Sequence, residues 1–178
     1  TNASMKKVFG QVSINYDHVN KILDANLNAS IYAPNTLSGN VDITMHIDSP
    51  GGSVKSGLSM VDVMEYIPCD IRTVNTGMAA SMGSVLLGAG TKGKRASLRH
   101  STTMLHQSSG GFSGNIQDAE VDWAEWQKVN LELFNLLGSY CNKKPEKVMQ
   151  DATRDFWLNA EEAVKYGIID EIIKPKII

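Results

Sequence analysis

Strand-like and helix-like patterns of apolar residues alternate along most of this 178-residue chain. Apolar side chains fall at every second position from Val41 to Ile47, which is the period of a half-buried strand. After a Pro-Gly-Gly turn, apolar residues at helical spacing predict a helix from Val54 that ends before Pro68. Because this order of elements brings successive strands side by side through crossover helices, we predict an α/β fold with largely parallel strands.

Later segments continue the alternation, and we predict one domain over residues 1–178 because no repeat or low-complexity tract divides the sequence. The polar stretch at 33–40 is predicted to be a surface loop. The predicted strands lie at 71–75, 102–105 and 168–173, and the predicted helices at 79–89, 115–137 and 159–166. Asn159 with Glu162 forms a capping-box start for the last of these helices.

Composition restricts the classes of function. Seventeen basic and nineteen acidic side chains give a net charge of −2, which argues against nucleic acid as a partner. The longest run of apolar residues is three, so no membrane span is predicted. Two widely separated cysteines, Cys69 and Cys141, form no disulfide framework, and we expect a reduced, cytoplasmic compartment.

Ser81 stands out among the serines because of its small neighbours. It lies within 77–83 (GMAASMG), a predicted strand-to-helix turn. A nucleophile needs such a turn, since its oxygen must project while backbone amides approach the substrate carbonyl. The same pattern fits an N-cap serine in a close-packed helix, and spacing leaves both interpretations open.

A serine nucleophile needs a base, and the chain has four histidines. No pair of them has metal-ligand spacing, so no metal site is predicted. His18 and His100 lie in polar segments, and His46 beside Asp48 fits a structural role in a strand. His106 ends a predicted strand and opens into a glycine-bearing loop, where it fits a catalytic or a structural role.

The carboxylate that would orient such a histidine is not selected by spacing. Asp151, Asp155 and Asp170 are all downstream candidates. Gly51 and Gly52 offer a second source of backbone amides, although a plain turn is the favoured explanation of the pair taken alone.

Taken together, these segments resemble the Clp proteolytic subunit family of ClpP type. The resemblance runs from about Lys6 to Ile173. It is carried by the segments 48–52 (DSPGG), 77–83 (GMAASMG), 90–95 (GTKGKR), 104–107 (MLHQ), 153–156 (TRDF) and 161–170 (EEAVKYGIID). It implies a ClpP/crotonase-like fold of repeated ββα units with a protruding handle helix, here the helix from Asn115. Trp123 and Trp126 in that helix are then inter-ring contacts or core residues.

The resemblance also implies an active site for a serine endopeptidase. Ser81 matches the nucleophile, His106 the general base and Asp155 the orienting acid, so Asp151 and Asp170 return to structural roles. The backbone amides of Gly52 and Met82 match the oxyanion hole.

Substrate binding and assembly are implied in the same way. An extended polypeptide substrate would contact Gly51, Val54, Gly110 and Gly111, and Arg154 would link two rings. Two stacked seven-membered rings would form a barrel, a tetradecamer with inward-facing sites. No cofactor is expected, and ATP would enter only through an AAA+ unfoldase partner.

The sequence departs from the family pattern in several places. Thr153 replaces an acidic residue, Ser108 replaces a proline and Asp48 stands where asparagine is common. The match to the first strand at 7–12 comes almost at the start of the sequence, and the pore-lining stretch that engages an ATPase has no match before it.

Alternative functions therefore stay open. One is a stand-alone maturation protease of phage or prophage type that works without an unfoldase. Others are a non-catalytic assembly subunit and an acyl-CoA-binding crotonase-fold enzyme. The matched triad argues against the last two, because they need no Ser-His-Asp arrangement.

Overall fold

A computed structural model of the chain describes residues 28–32, 42–67, 69–111 and 114–174, with the backbone alone for 28–32. Five sequence predictions lie outside the described residues: the strand match at 7–12, His18, the loop at 33–40, the start of the strand at Val41 and the helix stop at Pro68. The single domain over residues 1–178 stays a prediction.

Seven strands in the described part of the chain form one sheet. They are β1 (Asn28–Tyr32), β2 (Ile43–Ser49), β3 (Ile71–Ala80), β4 (Arg95–Leu98), β5 (Thr102–Leu105), β6 (Phe156–Asn159) and β7 (Glu171–Ile173). The main path is β1-β2-β3-β4-β7, and β5 joins β3 to β6. Only the β1–β2 and β5–β6 pairs are antiparallel among these strands. The predicted α/β fold with largely parallel strands is confirmed.

Five helices accompany the sheet within the same ranges. They are α1 (Val54–Tyr66), α2 (Met82–Gly88), α3 (Ile116–Cys141), α4 (Pro145–Asp151) and α5 (Ala160–Tyr166). Asn115 caps α3, which continues one turn beyond the predicted end at Leu137. Asn159 and Glu162 form the predicted capping box of α5. Strand β7 begins later than predicted, because the Ile168 amide still donates to the Ala163 carbonyl in the C-terminal cap of α5.

The hydrophobic core draws on the sheet and on all five helices. Its largest fully buried side chains include Ile47, Leu86, Leu105 and Phe134. Helix α3 contributes only its C-terminal half, from Leu133 onward. Within this core, helix α2 contacts β2, β3 and β5, next to the site described below.

Strand β3 corrects the sequence prediction of a strand ending at Asn75 and a helix beginning at Ala79. The strand continues to Ala80, because its second half pairs with β5 whereas its first half pairs with β4. Buried Asn75 holds this fork: its side-chain amide donates to the Thr102 carbonyl at 2.8 Å and accepts from the Gly77 amide at 3.2 Å. Tertiary pairing thus overrides the helix propensity of the alanines.

Candidate active site

Ser81 connects β3 to α2 in a strained backbone conformation. Its φ is 54° and its ψ is −124°, in a region that residues with side chains rarely adopt. The backbone is held there because the Ser81 amide donates to the Met104 carbonyl at 2.9 Å and the Ser81 carbonyl accepts from the Ser84 hydroxyl at 2.7 Å. Ser81 occupies the N-cap position of α2, but its side chain makes no capping hydrogen bond. Capping therefore does not explain this serine.

The Gly51–Gly52 turn packs directly against Ser81. Gly51 has a φ of 102°, and a Cβ atom placed there would lie 2.6 Å from the Ser81 Cβ and 3.1 Å from the Met82 nitrogen. Only glycine permits this approach. Met82 begins α2, so its amide belongs to the first turn, which has no acceptor within the helix. The turn and the helix start bring two sets of backbone amides to the same serine.

His106 and Asp155 are brought together by the β5–β6 ladder. The last pair of this antiparallel ladder joins Leu105 to Phe156, so His106 and Asp155 face each other one step beyond it. The His106 Nδ1 lies 3.5 Å from the Asp155 Oδ1. Of the three candidate carboxylates, the structure places Asp155 beside the histidine.

Ser81 and His106 line one narrow cavity. Its walls are mostly apolar and come from α1, α2 and α3: Val54, Met82, Val85, Leu133, Phe134 and Leu137, with Ser84 and Ser108. In the described part of the chain, no hydrogen bond joins the Ser81 hydroxyl to His106. Such bonds tighten when a substrate is bound. The arrangement offers a nucleophile and a base beside a small, mostly apolar cavity of about 20 Å³.

On its other side, His106 faces an open cleft of about 580 Å³ that also contains Gln107, Asp155 and Trp157. Arg154, the predicted inter-ring residue, lies in the wall of this cleft with its side chain exposed. Thr153 is exposed beside it. Asp155 is 61% exposed, so this part of the surface is open to solvent.

Of the four predicted substrate-binding residues, the structure places one in the wall of the cavity. Val54 lines it from the start of α1, whereas Gly51 is buried against Ser81. Gly110 and Gly111 are exposed in the loop that follows His106. A Cβ atom on Gly110 would lie 3.5 Å from the Trp126 Nε1, so this loop runs beside α3.

Comparison with known proteins decides the family. The family model for Clp protease matches residues 4–176. The chain belongs to the Clp protease family. It is 49% identical over 133 residues to the ATP-dependent Clp protease proteolytic subunit of Porphyromonas gingivalis, a match that covers 75% of this chain and 60% of that one.

Further relatives carry the same name. The subunit of Bacteroides fragilis is 47% identical over 135 residues, covering 76% of this chain and 65% of its own. Subunit 2 of Thermobifida fusca is 46% identical over 132 residues, covering 74% of this chain and 65% of its own. The chain thus matches less than two thirds of the length of these relatives.

The other two candidate carboxylates, Asp151 and Asp170, make structural contacts in this Clp-family fold. Asp170 accepts hydrogen bonds from Arg95 and Gly93, and Asp151 accepts from Tyr166 and pairs with Lys147. Burial favours the neutral form of Asp170, but the hydrogen bonds from Arg95 and from the Gly93 amide outweigh it and lower the pKa of this carboxyl. These contacts agree with the structural roles expected for both aspartates.

His46 is half-buried in β2, and His100 is exposed in the turn between β4 and β5. Residues 28–32, 42–67, 69–111 and 114–174 contain no group of three or more side chains arranged to hold a metal ion. No helix within these ranges has the length and apolar character needed to cross a membrane.

Sequence reasoning missed β1, β4, α4 and β6. Missing β6 matters most, because the pairing of this strand with β5 brings Asp155 to His106. Its sequence, FWLN, has only four residues between the candidate aspartate and the capping-box asparagine. The available signal was that β-prone aromatic pair, which is too short to give a period.

Proposed function

We propose that this Clp-family chain is a serine endopeptidase, a peptide-bond hydrolase in which Ser81, His106 and Asp155 form the catalytic triad. The supporting observation is their common placement: each residue adjoins one end of β3, β5 or β6, and β5 pairs with both of the other strands. The strained backbone of Ser81 presents its hydroxyl at this junction.

The proposed mechanism follows from which nitrogen faces which partner. Asp155 faces Nδ1 of His106, which leaves Nε2 to accept the Ser81 proton. The Ser81 oxygen attacks the peptide carbonyl, and His106 then gives the proton to the leaving amine. Water, activated by the same histidine, releases the acyl group from Ser81.

The developing oxyanion needs donors, and we assign them to the amides of Gly52 and Met82. The close packing of Gly51 on Ser81 supports this assignment. A preorganised donor of this kind contributes roughly 3–4 kcal/mol to transition-state stabilisation.

Unfolded polypeptides are the proposed substrates. An extended chain between Val54 and the Gly110–Gly111 loop would be bound through its backbone, so many sequences would be accepted. The apolar cavity beside Ser81 has a volume of only about 20 Å³, so it would have to widen to take the side chain before the cleaved bond. No cofactor is needed for this chemistry.

We further propose the ClpP/crotonase-like fold with α3 as the handle helix, and a barrel of two seven-membered rings. The part of α3 that precedes Leu133 supports this assembly: Ile116, Val121, Trp123 and Leu131 expose between 47% and 77% of their surface. Trp123 and Trp126 stack at 5.3 Å, outside the core. Exposed apolar surface of this kind is typical of an interface.

Partners and location are the remaining proposals. An AAA+ unfoldase would deliver folded substrates, and the cytoplasmic location stays a prediction. The stand-alone maturation protease is the alternative. Faster degradation of a folded substrate after a cognate unfoldase and ATP are added would favour the unfoldase-dependent protease. An unchanged rate would favour the stand-alone protease.

The test of the proposed activity is hydrolysis of unfolded casein by the assembled protein. We expect the wild type and Ser59→Ala, a serine exposed on α1, to cleave it, and Ser81→Ala to be inactive. Light scattering on the same samples should give a high oligomer. An active Ser81→Ala variant would exclude the triad, and a fully active monomer would exclude the enclosed barrel.

A further inference from the structure

Ser108, two residues after His106, is fastened to helix α3. Its backbone amide donates to the Asn130 Oδ1 at 3.2 Å, and its hydroxyl donates to the same oxygen at 2.9 Å. A backbone N–H can only donate, so the group that faces it is the amide oxygen. Asn130 is half-buried, at the point where α3 leaves the core.

The hydrogen bonds between Ser108 and Asn130 matter because the other backbone restraints on His106 lie on its N-terminal side along the chain. Upstream, β5 is paired with β3 and β6 up to Leu105. Downstream, the ladder has ended and the chain enters the exposed loop through Gly110. The carboxylate partner holds the ring loosely, since Asp155 is 61% exposed and lies 3.5 Å away.

We propose that Asn130 is a positioning residue for His106. By accepting both Ser108 donors, it fixes the backbone just beyond the histidine and so keeps the imidazole aimed at Ser81. It also holds Ser108 in the wall of the cavity that Ser81 and His106 share. This inference rests on the proposed triad, because it assigns no chemistry to Asn130 itself.

Four variants of the assembled protein test it on a short fluorogenic peptide. Asn130→Leu removes the acceptor at nearly constant size, and Asn130→Asp keeps an acceptor oxygen. Ser108→Ala removes the hydroxyl and keeps the N–H. Asn135→Leu, the same substitution at an exposed position of α3, is the matched control.

We expect Asn130→Leu to lower kcat about tenfold with KM within twofold, because a displaced base slows proton transfer more than it weakens binding. Asn130→Asp should recover most of that loss, and Ser108→Ala should lose about threefold. The double variant Asn130→Leu/Ser108→Ala should be no slower than Asn130→Leu, since both changes break one contact. Asn135→Leu should match the wild type.

Three results would overturn the inference. They are a kcat of Asn130→Leu equal to that of Asn135→Leu, no recovery in Asn130→Asp, and losses that multiply in the double variant. Thermal unfolding of each variant separates these effects from misfolding, and Ser108→Ala supplies the test if Asn130→Leu does not fold. The proposed function fails separately, when the wild type is inactive or Ser81→Ala retains activity.

Discussion

Two aspartates near the end of the chain show how differently a carboxylate can be held in one molecule. Asp155 and Asp170 each precede a short strand and face a basic side chain. Asp170 is 18% exposed and accepts from the Gly93 amide at 2.7 Å and from three nitrogens of Arg95 at 2.6–3.0 Å. Asp155 is 61% exposed, and its one polar contact within the described residues is with His106 at 3.5 Å.

Asp170, Arg95 and Gly93 form a hydrogen-bonded cluster, the Asp170 corner, that connects elements far apart in sequence. Arg95, only 3% exposed, also donates to the Tyr140 carbonyl near the end of α3. Removing the cation from a carboxylate that is mostly buried and fully hydrogen-bonded lowers the stability of the fold, because the charge is left without a partner. A solvent-exposed carboxylate with few hydrogen bonds can instead change partners during a reaction. We therefore expect the Asp170 corner to control stability and the Asp155 corner to control activity.

The largest effect is expected from Asp155→Asn. The amide preserves the shape but removes the charge that stabilises the imidazolium, and kcat should fall by about 10⁴ with unchanged thermal unfolding. Peptide hydrolysis and calorimetry measure the two quantities. Asp122→Asn, an exposed carboxylate on α3, is the control. Activity near the wild-type level would remove Asp155 from the triad.

Arg95→Met should affect stability instead. It leaves the Asp170 carboxylate buried without its partner, so the free energy of unfolding should fall by about 3–5 kcal/mol. Urea denaturation gives this value, and Arg72→Met, which breaks an exposed pair with Glu171, should cost about 1 kcal/mol or less. Equal losses in the two variants would contradict the distinction between the corners.

The pH dependence sharpens this prediction. The folded pKa of Asp170 is lowered, so its contribution to stability is complete above the unfolded value of about 3.9 and disappears as pH falls through the folded value. The difference in unfolding free energy between the wild type and Asp170→Asn should therefore shrink below about pH 4. A difference that stays constant down to pH 3 would show that the charge of Asp170 is not responsible.

The smallest expected effect concerns the cysteines. Burial raises the pKa of Cys141 to about 11, and this residue follows Tyr140 at the Asp170 corner. Cys69 is half-buried and should react with iodoacetamide at pH 8 well before Cys141. Mass spectrometry resolves the two sites, and equal rates for both cysteines in the wild type would contradict the packing described here.

Elements with strong local sequence signals were predictable, and those that depend on long-range pairing were not. Helices α1 and α5 have strong local signals, namely apolar residues at helical spacing and a capping box, and they were predicted nearly to the residue. The short strand β5 was also predicted with its observed bounds. The length of β3 was not, because the pairing of Ala79 and Ala80 with β5 is invisible in their own sequence.

The candidate site divides in a similar way. The small residues around Ser81 indicated a strand-to-helix turn, and the family resemblance supplied His106 and Asp155. The residues that support them were missed: β6 is too short to show a period, and the contact of Ser108 with Asn130 joins positions 22 apart in sequence. Long-range hydrogen bonds of this kind depend on tertiary packing.

The most direct measurement of the central claim is covalent labelling by a fluorophosphonate, located by peptide mass spectrometry. The account predicts a single adduct on Ser81, formed rapidly in the wild type and in His100→Ala, which changes an exposed histidine, and not in His106→Ala. An adduct on another serine, or equal labelling of Ser81 in His106→Ala, would contradict it.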